Sequence, residues 1–154
     1  MSSEEKLVVV FDTNVIIPLS IPTGRSRSSR LFLRLKASGH VIAVSPQILA
    51  EVREKLLTKE PLRKWLKLSD EEIERFVQQL PSLLGRTLKG TLHLHGVVPA
   101  DPKDDAIIAA AVEAGASYII SEDAHVLSVG AYEGIKIMNR AQFEAELDRL
   151  GVPD

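Results

Sequence analysis

Leu7-Val8-Val9-Val10-Phe11-Asp12-Thr13-Asn14 decides the fold. Five apolar, β-rich residues without alternation are the pattern of a strand buried on both faces, which occurs in parallel sheets covered by helices on each side. Asp12 closes the run at the strand's carboxyl end. The same grammar recurs along the chain. Val41 to Val44 is a second buried strand after the break at Gly39, and Tyr118 to Ile120 and Ile135 to Met138 are two more. Between them lie helical patterns: Ser28 to Ala37, a helix opened by Ser45-Pro46, one opened by the Ser69/Glu72 capping box, one begun by Asp101-Pro102 and ended at Gly115, and one capped by Asn139. Strands alternating with helices of these lengths predict right-handed crossovers and a doubly wound α/β sheet of four to five strands. Gly85 to Gly96 reads as a loop or short irregular strand, and Trp65 as a packing anchor.

The chain has 154 residues, the size of one domain, and nothing in its composition marks a linker, so residues 1–154 read as a single domain. No apolar run approaches the roughly 18 residues of a spanning helix, and the polar start, Met1 to Lys6, is unlike a signal peptide, so the cytoplasm is expected. Lack of cysteine excludes disulfides and thiolate metal sites. A net charge of −2 excludes a general polyanion binder, and nucleic-acid contact must therefore be local. One basic stretch exists, with Arg25, Arg27, Arg30, Arg34 and Lys36 and no acid among them. Taken alone, this segment reads first as a solvated helix face.

The acids carry the chemistry. In an open parallel sheet the strands' carboxyl ends share one edge, so acids placed there converge whatever their separation in sequence. Asp12 sits at such an end, with helix capping as its structural alternative. Glu51 lies at the margin of the Ile48, Leu49, Val52, Leu56 stripe, where a carboxylate loses hydration. Asp101 and Asp104 are explained as N-cap and third-position acid of one helix. Asp105, with Ile108, Ala109 and Val112 at i+3, i+4 and i+7, falls on the face directed at the sheet. Asp123 follows Ile120 by three residues, with an N-cap role as its alternative. Unit charges about 4 Å apart repel by about 4 kcal/mol at an effective dielectric near 20, so several acids at one edge call for cations. An all-oxygen donor set suits Mg²⁺ or Mn²⁺ rather than zinc, and two-metal phosphodiester hydrolysis is the chemistry such a site serves. His93 and His95 read as a solvated loop pair and His125 as a surface residue.

Four stretches in order resemble the PIN-domain ribonucleases: Val9-Val10-Phe11-Asp12-Thr13-Asn14, Ser45-Pro46-Gln47-Ile48-Leu49-Ala50-Glu51-Val52, Asp105-Ala106-Ile107-Ile108-Ala109-Ala110-Ala111, and Tyr118-Ile119-Ile120-Ser121-Glu122-Asp123. The Asp101-Pro102-Lys103-Asp104-Asp105 run resembles a subgroup described as toxin components of toxin–antitoxin systems, VapC-like. The resemblance implies a three-layer α/β/α sandwich and Mg²⁺- or Mn²⁺-dependent endonucleolytic cleavage of single-stranded RNA. It implies Asp12, Glu51 and Asp105 as the main metal-coordinating acids and Asp123 as a fourth, with Asp104 able to replace or share the role of Asp105. Thr13, Asn14 and Ser121 would give hydrogen-bonding support, and Arg25, Arg27, Arg30 and Arg34 would hold RNA. A small antitoxin protein and a homodimer are the partners the family suggests. The alternatives are a weak or inactive PIN-fold module that binds RNA or protein, and a small-molecule phosphohydrolase. Asp12-Thr13-Asn14 also resembles the start of a haloacid-dehalogenase phosphatase, but Asn14 stands where that family needs a second aspartate.

Overall fold

The computed structural model describes residues 5–154, so most of the polar N-terminal stretch, residues 1–6, lies outside the described residues. Six strands form one sheet in the order β3-β2-β1-β4-β6-β5: β1 Val8–Phe11, β2 Val41–Val44, β3 Gly85–Thr87, β4 Tyr118–Ile120, β5 Ala131–Tyr132 and β6 Ile135–Met138. All neighbours pair in parallel except β5 with β6. Helices flank the sheet on both faces, giving the expected three-layer α/β/α arrangement.

The helices are α1 Thr13–Ile16, α2 Arg27–Ala37, α3 Pro46–Thr58, α4 Glu60–Leu66, α5 Asp70–Leu84, α6 Asp105–Ala114, α7 Ala124–Leu127 and α8 Arg140–Arg149. Their ends follow the cap chemistry of the sequence. Ser45 Oγ accepts from the Ile48 amide, Ser69 and Glu72 complete a capping box, Asn139 and Gln142 form another, and Gly115 closes α6 in the left-handed region. Val9, Val10, Phe11, Ile42, Val44, Ile119 and Ile120 are wholly buried, as strands covered on both faces require.

The sheet holds two strands beyond the clearest four. β3 is three exposed residues, Gly-Arg-Thr, with no hydrophobic signature, formed because its backbone completes the ladder of β2. β5 is two residues long and turns into β6 through Glu133 and Gly134, both at positive φ, the geometry of a tight hairpin turn. Trp65 is 69% exposed on α4 and is not the packing anchor its apolar neighbours suggested. Among the described residues no helix is long and apolar enough to cross a membrane.

β1 occupies the switch point of the sheet. Crossovers run from β1 outward to β2 and β3, then return to β4 on its other side, which opens a crevice beyond the carboxyl ends of β1 and β4. Phe11 pairs with Ile120, so Asp12 and Ser121 leave adjacent strand ends together.

Candidate active site

Asp12 is 3% exposed and held on several sides. It caps α1, one carboxylate oxygen accepting from the Thr13 amide at 2.7 Å. Its other oxygen accepts from Ser121 Oγ at 2.7 Å and from Asn14 Nδ2 at 3.5 Å. Ser121 Oγ also accepts from the Asp123 amide at 3.0 Å, and Asn14 Oδ1 accepts from the Glu122 amide at 3.0 Å. Thr13, Asn14 and Ser121 thus weld the ends of β1 and β4 around one carboxylate. Burial pushes the Asp12 carboxyl above its ordinary range, against the pull of Ser121, the Thr13 amide and Lys55.

Asp104, Asp123 and Asp101 line a cleft of about 630 Å³ beside Asp12, together with Glu51, Glu54 and Lys55 of α3 and Lys59 just after it. Asp123 caps α7, accepting from the His125 and Val126 amides through one oxygen only. Glu51 is half-buried and pairs with Lys55 at 3.4 Å. Asp104 is 7% exposed, and one of its oxygens is buried with no hydrogen-bond partner. Desolvation, reinforced by the charges of Asp12, Asp101, Asp123 and Glu51, pushes its carboxyl up to about 7. An orphaned carboxylate oxygen facing the field of four other acids is costly unless a cation meets it.

Asp105 does not join this group. Its two oxygens accept from the backbone amides of Gly96 at 2.9 Å and Val98 at 2.7 Å, fastening the loop before α6. Asp104 and Asp105 part at a change of helix type. Asp101-Pro102 does not start an α-helix directly; Pro102–Asp104 is a 3-10 turn, with Asp101 as its cap, and α-geometry begins at Asp105. A 3-10 turn advances about 120° per residue rather than about 100°, so Asp104 takes a direction that α-periodicity does not give, while Asp105 is buried on the face its spacing to Ile108 and Ala109 implies.

The basic stretch divides in two. Arg25 and Arg30 are exposed, and Arg27 makes only a loose pair with Glu144 at 3.9 Å. Their end of α2 is linked toward Asp12 by a chain of polar contacts: Ser28 Oγ accepts from Arg140 Nη1 at 3.0 Å, Arg140 pairs with Glu122 at 3.5 Å, and the Glu122 amide donates to Asn14. Arg34 belongs elsewhere. It is buried, donating to the carbonyls of Glu144, Val152 and Pro153 and to Asp148, so it staples the C-terminal segment to α2 and is withdrawn from any nucleic-acid surface.

Lys55 and Arg140 were not singled out from sequence. Lys55 is i+4 from Glu51, the spacing of an ordinary surface ion pair, and Arg140 is one basic residue at a helix start. His93 and His95 are exposed in the loop before α6, and His125 is exposed on α7, as expected.

The donor set fits a hard divalent cation. Every acid at the cleft offers oxygen, and Asp104 has an oxygen that nothing in the protein satisfies. Among the described residues no three acidic or histidine side chains are already gathered into a metal cage. An open cleft of that kind suits Mg²⁺, which keeps several of its waters and takes one or two carboxylates directly.

A family model for the PIN domain matches residues 8–125, from β1 to the start of α7. Among solved structures, one chain of the crystal structure of VapBC2 from Rickettsia felis, bound to a DNA fragment from their promoter, is similar with a TM-score of 0.59. The likeness covers 86% of this chain and 98% of that chain at 16% identity, a level that speaks for the fold. The comparison with curated proteins returned no match. With four acids at the carboxyl edge of a sheet of this order and a domain model spanning the sheet from β1 through β4, the chain belongs to the PIN-domain family, whose members are generally nucleases that use divalent metals.

Proposed function

We propose that the protein is a Mg²⁺- or Mn²⁺-dependent endoribonuclease acting on single-stranded RNA, with Asp12, Glu51, Asp104 and Asp123 as the acids that hold metal. The buried, unpartnered oxygen of Asp104 among four other acids carries this reading, because a cation is what such a carboxylate lacks. When bound, a divalent ion would activate water and neutralise charge on a phosphodiester. The protein's own part is positional. Ser121, Asn14 and the Thr13 amide fix the Asp12 carboxylate, and the α7 amides fix that of Asp123, so neither has to be ordered when substrate arrives.

RNA approaches along the exposed end of α2. Acids repel a polyanion, and Arg25, Arg27 and Arg30, with Arg140 behind them, supply local positive charge on a chain of net charge −2. A role as the toxin of a toxin–antitoxin pair, in the cytoplasm with a small antitoxin partner, extends this reading and is supported by the fold shared with a chain of the VapBC2 complex. The experiment is cleavage of a single-stranded RNA pool with Mg²⁺, with Mn²⁺ and with EDTA, beside a phosphate monoester. Metal-dependent RNA cutting is expected, reduced about tenfold by Arg25→Ala/Arg30→Ala through two lost phosphate contacts. Monoester turnover that ignores the arginines would instead identify a small-molecule phosphohydrolase, and no turnover of either a binding module.

A further inference from the structure

Among the described residues Lys55 is the cleft-lining lysine with defined side-chain partners on two motifs. From the third turn of α3 its stem runs toward α1, where Nζ donates to Thr13 Oγ1 at 2.7 Å, next to the capping aspartate, while pairing with Glu51 at 3.4 Å. Its charge also favours ionised Asp12. Its side chain is 30% exposed and that of Glu51 23%, so the pair is worth more than a fully solvated one yet is open to exchange. Lys59, between α3 and α4, lines the same cleft and is exposed, with no side-chain hydrogen bond or ion pair among the described residues.

We infer that Lys55 is a tethered counter-cation: it holds Glu51 and neutralises the cleft while no divalent ion is bound, and it gives Glu51 up when one binds. The reason is bookkeeping of charge at short range. Asp104 lies in the field of Asp12, Asp123 and Glu51, and without a metal the Lys55 ammonium is an opposite charge that reaches both Glu51 and Asp12. Glu51 Oε1 lies 3.4 Å from the ammonium, so a divalent ion placed on that carboxylate would stand against the ammonium's positive charge, and repulsion between the two cations would loosen this pair. Lys55 is on this account a positioning residue that keeps the cleft assembled when empty and sets the metal concentration at which it fills. The inference rests on the acids named above being metal ligands.

The test is calorimetric titration of Mn²⁺ into the metal-free full chain as wild type, Lys55→Gln, Lys55→Met, Lys55→Arg and Lys59→Gln, with melting temperatures of each protein before and after metal. Lys55→Gln and Lys55→Met should bind Mn²⁺ about fivefold tighter, the size of a half-exposed ion pair that no longer has to be broken, and should melt lower when metal-free. Lys55→Arg and Lys59→Gln should bind as wild type does. Equal affinity in wild type and both neutral Lys55 variants overturns the inference alone, and so does an equal gain in Lys59→Gln, which would mark a general charge effect. A wild type that takes no Mn²⁺ overturns the inference together with the metal-site reading beneath it.

Discussion

Asp104→Asn is expected to lower metal-dependent RNA cleavage by about a thousandfold or more, the scale of removing a preorganised charge from a reacting centre. Asp12→Asn should do the same, since the amide cannot accept from both Ser121 and the Thr13 amide and offer charge to a cation. Asp105→Asn should behave differently. Its lesion lies in the loop, where an amide with one acceptor oxygen cannot satisfy both the Gly96 and Val98 amides, and it should cost about 1.5–3 kcal/mol of stability while cleavage at low temperature persists. Melting curves separate the cases further. Folded Asp104 titrates near 7 against 3.8 for an unperturbed aspartate, so the metal-free folded state keeps a proton there that the unfolded chain releases. Stability therefore falls as pH rises from about 4 to about 7, and Asp104→Asn should flatten that slope and raise the metal-free melting temperature at pH 8 by a few degrees.

Arg34→Ala is expected to be the largest stability lesion on the surface helices, about 2–4 kcal/mol and a fall in melting temperature of about 5–12 °C. Three of its four hydrogen bonds go to backbone carbonyls, at 3.4, 3.2 and 2.7 Å from Glu144, Pro153 and Val152, and truncation strips the buried Val152 carbonyl of its guanidinium donor and unfastens the C-terminal segment from α2. Lysine, with one compact ammonium instead of a planar fork, should recover little of the loss. RNA cleavage measured well below the melting temperature should be unchanged. Arg25→Ala/Arg30→Ala should show the reverse, weakened cleavage on a fold of normal stability, and thermal melts alongside cleavage assays check both directions.

The contrast between these arginines shows where reading of the sequence reached its limit. Strands such as Val8–Phe11 and Val41–Val44 declare themselves because burial on both faces demands an uninterrupted apolar run, and the helix caps at Ser45, Ser69 and Asn139 because a hydroxyl or amide beside orphan amides is a local signal. The convergence of Asp12, Glu51 and Asp123 followed from topology. Arg34 could not be told from Arg30, because its partners are backbone carbonyls more than a hundred residues away that carry no residue signature. Asp104 reads as an ordinary third-position helix acid because the 3-10 geometry of Pro102–Asp104, which sets it on the cleft, is invisible in composition. Lys55 looked like any i,i+4 partner, its distinction being the Thr13 hydroxyl brought to it by α1. β3 and β5, three and two residues long, exist through neighbours that offer a ladder edge, not through side-chain pattern.

The site assignment is tested most directly by locating the metal. Crystals of the protein soaked in Mn²⁺ and measured for anomalous scattering should show density in the cleft among Asp12, Glu51, Asp104 and Asp123, with Asp105 still bound to the Gly96 and Val98 amides. Density at Asp105 beside His93 and His95, with the cleft empty, would contradict the account.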